Sequence, residues 1–174
     1  MAIYAYGKRV PEIDETAWVF PTASVIGKVT LEGKVYVGAG AVLRGDYGSI
    51  IVKSGSAIEE NTTIHARMAG TCFIEQDVTV GHAAMLHNCT IKKGAVIGMN
   101  ATVSDHAIVG EGTIIAEGAV VKAKSDIPPF KIAAGVPAQV IGDVPEAHKE
   151  FWLAAKEVYK ALCRDYKRKL KRLD

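Results

Sequence analysis

Aromatic side chains are scarce in this 174-residue chain, at 7% of the total, although 49% of its residues are hydrophobic. A globule of this size usually fills its centre with some large rings, so the shortage points to a narrow interior of Val, Ile, Leu and Ala. Long apolar runs are also missing, which excludes a membrane-spanning helix. The three cysteines (Cys72, Cys89 and Cys163) are odd in number and show no Cys-x-x-Cys spacing, which argues against a disulfide framework. The net charge is only +2, so nucleic acid or another polyanion is not an obligate partner. The N-terminal stretch MAIYAYGKRV has no apolar signal core, and a cytoplasmic location is the expectation. What is present is a 23% charged fraction typical of an ordered chain, 17 glycines, and enough length for one domain without covalent staples.

The apolar residues carry a repeat. Every sixth residue from Ile13 is aliphatic: Ile13, Val19, Val25, Leu31, Val37 and Leu43. After a phase slip the series resumes at Val52, Ile58 and Ile64, and after another at Ile74, Val80 and Leu86. One residue is then dropped, and Ile91, Ile97, Val103, Val109, Ile115, Val121 and Ile127 follow without interruption. Four residues after most of these positions stands a small or β-branched side chain, such as Ala23, Ala41, Ala95, Ala101 or Ala107. A period of six suits neither an amphipathic helix nor an alternating strand. It resembles the hexapeptide repeat of left-handed parallel β-helices, in which three hexads make one triangular coil and coils stack about 4.8 Å apart.

The expected fold is therefore an all-β solenoid, a single-stranded left-handed parallel β-helix, with a C-terminal α-helix. Residues 1–12 are expected as an N-terminal segment and 13–127 as the β-helix. Pro128-Pro129 is expected to end the ladder, with an exit segment over 128–144. From 145 to 174 apolar residues recur at helical spacing, with Phe151, Trp152, Ala155, Val158, Tyr159, Leu162, Tyr166, Leu170 and Leu173 on one face. This segment carries nine Lys/Arg against five Asp/Glu. A basic helix can serve membranes or nucleic acid, but aromatics at this spacing favour packing along the β-helix, with the charges solvated.

Three of the five histidines fall at telling repeat positions. His65 follows the inward Ile64 and His87 follows the inward Leu86, so both project outward. If the break before Ile74 is a four-residue loop added to one hexad, Leu86 returns to the face of Ile64 one coil up. His65 and His87 then stack within reach of one metal ion. A catalytic zinc site needs three protein ligands and an open position. His82 lies on a different face of the same coil and would reach such a pair only on a neighbouring chain, which predicts a homotrimer with metal sites at its seams. The alternative is three unrelated surface histidines. If the break before Val52 is a three-residue loop, Arg44 is the outward residue directly below His65.

The stretch Arg44-Gly45-Asp46, then Ile64-His65, Val80-Gly81-His82 and Leu86-His87 resembles the γ-class carbonic anhydrase family, which includes phenylacetate- and carnitine-operon relatives. The resemblance covers roughly residues 10–145 and the C-terminal helix. It implies zinc, or iron or cobalt, held by His65, His82 and His87 across a homotrimer interface, and reversible hydration of CO₂ to bicarbonate. It assigns Arg44 and Asp46 to a pair that bridges subunits beside the site, as trimer cement or with a direct role in chemistry. Where the family has a glutamine this chain has Glu59, which could accept a proton from the reacting water. Tyr159 matches a tyrosine that reaches the site in relatives. Cys72 and Cys89 are read as buried small hydrophobes rather than ligands. Two further readings stay open: an acyl-CoA thioesterase or acyltransferase, and a metal-binding trimer without turnover.

Overall fold

The computed structural model describes residues 2–174. It is a parallel β-solenoid of about seven coils with one C-terminal helix, matching a left-handed β-helix of hexapeptide repeats. Each coil has three short strands, so the molecule has three flat faces.

The sixth-residue series sorts onto those faces without exception. The first face stacks Ile3, Val25, Leu43, Ile64, Leu86, Val103 and Val121 in parallel register. Ile13, Leu31, Val52, Ile74, Ile91, Val109 and Ile127 form the second. The third carries Val19, Val37, Ile58, Val80, Ile97, Ile115 and Ala133. From Val25 to Ile115 these side chains are between 0 and 4% exposed, and Ala23, Ala41, Ala95, Ala101 and Ala107 fill the corners at 0%. Burying one such aliphatic side chain stabilises the fold by about 1.5–3 kcal/mol, and the narrow triangle leaves no room for rings.

The structure differs from the sequence reading in four places. The ladder starts before residue 13, because Ala2–Tyr4 pairs in parallel with the strand Ser24–Leu31. The three residues inserted before Val52 are absorbed as a register shift within a strand rather than as a separate loop: Val42–Val52 is one strand of 11 residues that turns a corner, slips against Ser24–Leu31 between Gly27 and Val29, and joins two faces into a 12-stranded sheet. That turn depends on glycine, since a Cβ on Gly27 (φ +75°) would lie 2.4 Å from the Gly45 carbonyl oxygen. The ladder also survives Pro128-Pro129 and resumes at Lys131–Ala134, which pairs with Ile114–Ile115. The prolines sit at a corner of the last coil on the second face, where an N–H would find no strand above it. Finally Gln139–Asp143 folds back antiparallel on Lys131–Ala134.

Helix α1 (Glu146–Lys169) lies along the third face. Its glutamate in the first turn and its Lys167, Arg168 and Lys169 in the last complement the helix dipole. The buried stripe is shifted from the expected one. Lys156 (5% exposed) and Cys163 (1%) face the β-helix beside Trp152, Tyr159 and Tyr166, whereas Phe151 and Val158 are exposed, and Leu170 and Leu173 lie beyond the helix. Tyr166 packs edge-on against Trp18 and Phe20, with ring centroids 5.6 and 6.2 Å away. The Lys156 ammonium donates to the Gly94 carbonyl at 2.8 Å, and Lys160 pairs with Asp77 at 2.7 Å. Some of the helix's positive charge is thus spent on its own scaffold. Among the described residues no helix is long and apolar enough to cross a membrane.

Candidate functional site

The parallel ladder turns repeat position into spatial neighbourhood. Arg44, His65 and His87 each follow an inward residue of the first face, and they are consecutive rungs of one column. His65 Nδ1 and His87 Nε2 face each other at 3.1 Å. Their other nitrogens are taken: His65 Nε2 lies 3.1 Å from Asp46 Oδ1, and His87 Nδ1 lies 2.9 Å from Asp105 Oδ1. Arg44 donates to Asp46 at 2.7 Å, and Arg67 clamps Asp105 through two hydrogen bonds of 2.6 and 2.9 Å. The result is an unbroken line Arg44–Asp46–His65–His87–Asp105–Arg67.

Both carboxylates in that line are ionised. The Arg67 guanidinium, followed by His87, holds the Asp105 carboxyl down at about 2. Partial burial pushes Asp46 up, but the hydrogen bonds from Arg44 and His65 outweigh it and leave the group below its ordinary value. An ionised carboxylate only accepts, so each imidazole must donate its outer N–H. With both rings neutral the two facing nitrogens present lone pairs to each other at 3.1 Å, an arrangement that a cation between them relieves. Two nitrogen ligands of one tetrahedral zinc, each about 2.0–2.1 Å from it, stand about 3.3 Å apart. The pair therefore fits a zinc-like ion, and the aspartates behind it are the usual orienting partners of ligating histidines.

His82 occupies a different corner, after the strand Thr79–Val80 of the third face. Its Nδ1 lies 2.7 Å from Glu60 Oε2 and its Nε2 3.1 Å from Glu59 Oε2. Tyr36 donates its hydroxyl to Glu60 Oε1 at 2.7 Å. Tyr159 of α1 lies beside Glu59, whose carboxyl it pulls downward, and its ring packs at a tilt against Tyr36 with centroids 5.2 Å apart. Glu59 is 5% exposed, and burial pushes its carboxyl upward against the pull of Tyr159 and His82. Burial first, then the neighbouring glutamates, raises both phenols. A cavity of about 280 Å³ opens from Glu59 and His82 toward Phe151, Trp152 and Ala155 of the helix. Thr79, whose buried hydroxyl has no hydrogen-bond partner, lines it.

One chain thus gathers Arg44, Asp46, His65 and His87 at one corner, and Glu59, His82 and Tyr159 at another. Among the described residues no three His, Cys, Asp or Glu side chains of a single chain converge as a metal cage. Cys72 and Cys89 are buried inside the coil with their sulfurs 3.7 Å apart, away from the outward histidines. Sequence reasoning missed Asp105, Arg67, Glu60 and Tyr36. Asp105 carried a signal, since it lies two residues after the inward Val103, one coil above Leu86.

Comparisons with known proteins agree with the fold. The family described as Bacterial transferase hexapeptide (six repeats) matches residues 88–123. The carnitine operon protein CaiE of Proteus sp. is 34% identical over 146 residues, spanning 84% of this chain and 74% of that protein. A Bacillus cereus crystal structure provisionally described as an acetyltransferase superposes with a TM-score of 0.93 at 31% identity, covering 95% of this chain and 96% of that one. A hexapeptide transferase family protein from Anaplasma phagocytophilum gives a TM-score of 0.91 at 32% identity, covering 95% and 98%.

Proposed function

From the premise that this chain belongs to the hexapeptide-repeat family, alongside the carnitine operon protein CaiE, we propose that it is a homotrimeric metalloenzyme whose reaction is the hydration of CO₂ to bicarbonate. His65 and His87 of one subunit and His82 of the next would hold one zinc-like ion. The observation that carries this reading is the pair of facing imidazole nitrogens, each ring backed by an aspartate that accepts at its outer nitrogen. An ion bound there supplies Lewis acidity, which makes water acidic near neutral pH.

The remaining work falls to this chain's own side chains. Asp46 and Asp105 fix the imidazole tautomers, and Arg44 and Arg67 keep those carboxylates ionised. The Glu60–Tyr36 pair holds the Nδ1 edge of His82 and so leaves Nε2 as the nitrogen that can serve a metal. Glu59 must release Nε2 before that nitrogen can serve as a ligand. Its freed Oε2, steadied by Tyr159, is then the acceptor for a proton leaving the reacting water.

A second reading is favoured by two specific observations. The cavity beside His82 and Glu59 is larger than CO₂ needs and has apolar walls, and the Bacillus cereus relative is described as an acetyltransferase. In that reading His82, oriented by its glutamates, is a general base for acyl transfer or for hydrolysis of an acyl thioester.

Metal analysis of untagged protein, with light scattering and stopped-flow CO₂ hydration, tests the proposal. The expected result is a trimer with about one metal ion per chain and measurable hydration that H65A abolishes. A metal-free trimer that cleaves or transfers acyl thioesters would overturn it in favour of the second reading.

A further inference from the structure

A second cavity, of about 240 Å³, lies between α1 and the later coils. It adjoins the cavity at His82, with Val96, Ile114 and Trp152 lining both. Val96, Ile114 and Phe130 give it apolar walls. Lys156 is its buried polar feature: the residue is 5% exposed yet lines the open space, as does Gly94, which holds its amine. The amine has one polar contact, the Gly94 carbonyl at 2.8 Å. Asp77 is the nearest source of compensating charge, but it is committed to Lys160 at 2.7 Å. A hydrocarbon side chain would seal this spot without the penalty of a buried cation.

We propose that Lys156 is a carbamylation site at which its amine takes up CO₂ from the apolar cavity, whatever the reaction at the histidines. The lone pair of the neutral amine attacks the carbon of CO₂. An N–C bond forms, one C–O π bond breaks, and one proton leaves nitrogen for solvent, giving a lysine carbamate. CO₂ suits the space because it is small, uncharged, and needs no leaving group. The product suits it because Lys93, His148 and Lys149 line the same cavity, alongside the acidic Glu111 and Asp77. Burial, opposed by Asp77 and assisted by Lys160, lowers the Lys156 ammonium to about 8. A sizeable neutral fraction therefore exists under mildly alkaline conditions, which is the state a desolvated lysine needs to act as a nucleophile. Carbamylation also inverts the charge beneath α1 and leaves its nitrogen a single N–H with which to hold the Gly94 carbonyl.

The wild-type protein supplies the first test. Equilibrated with ¹³C-labelled CO₂ and bicarbonate at constant pH near 8, then trapped with triethyloxonium and digested, it should yield an ethyl carbamate on the peptide containing Lys156. Recovery of that peptide unmodified would overturn the proposal. A carbamate ¹³C resonance should appear in the intact protein and be absent from K156R; its persistence there would assign it to another amine. A further measurement does not depend on any variant folding. Trace acetic anhydride should acetylate Lys156 several-fold more slowly when CO₂ is present, relative to the exposed Lys171. Equal rates with and without CO₂ would overturn the assignment.

Discussion

The two histidine corners are built from the same repeat, yet they hold their imidazoles in opposite ways. At the first, His65 and His87 turn lone pairs toward each other while Asp46 and Asp105 accept the outer N–H groups. At the second, both nitrogens of His82 end on carboxylates, Glu60 on one side and Glu59 on the other. The first corner is short of a cation. The second already has both imidazole nitrogens engaged. On the proposed function, one half is arranged for a metal in the isolated chain, whereas the other needs Glu59 to let go.

The largest expected effect comes from destroying the first corner. H65A should lose bound metal to background and reduce CO₂ hydration by about 10³-fold or more, as expected when Lewis acidity is removed. H82A should do the same although its corner is intact in every other respect. Mixing the two inactive variants after unfolding and refolding should restore metal and turnover at roughly one site in four, because only a seam between unlike subunits then has both halves. Mixed trimers with no recovery would refute sharing between chains.

Glu59 sharpens the contrast. E59Q should keep its metal but lower turnover by about 10²-fold, the usual scale for a lost proton acceptor, as read by stopped-flow at saturating metal. It should also bind metal more tightly than wild type, since Nε2 of His82 no longer answers to a carboxylate. D105N acts on the opposite corner and should weaken metal binding by about 10–100-fold while leaving the chain folded, as measured by competition with a chelator. The smallest effect belongs to neither corner. The unfolded chain holds the Lys156 proton up to about 10.5, the folded chain only to about 8. The unfolded state binds more protons between those values, so stability to denaturant should rise with pH across that window, and K156M should flatten the rise.

Much of this was legible in the sequence because a parallel ladder converts period into proximity. The same arithmetic that stacked Ile64 on Leu86 placed His65 beneath His87 and Arg44 beneath both. What escaped was whatever left the period. Arg67 sits in the irregular segment after His65, and its clamp on Asp105 bridges 38 residues. The opening strand was hidden because Ile3, at the outer edge of its face, is 43% exposed and breaks the inward rule. On α1 the stripe was misplaced because hydropathy scores lysine by its head group. The structure buries Lys156 along its aliphatic stem and leaves Phe151, at 62% exposed, facing out.

The ends of the stack have their own logic. Coils in parallel register share their spacing with amyloid, and the last coil of any such column is a template for another. Here each of the three faces is closed differently. Pro128-Pro129 withholds donors on the second, Gln139–Asp143 reverses direction across the third, and on the first the turn through Gly135 and Ala138 bonds back onto Val120 at 3.0 and 2.8 Å. A repeat that could propagate indefinitely is thereby given a finite length. The chain stays a countable particle because of its stopper, and a copy cut before residue 128 should grow end to end into filaments.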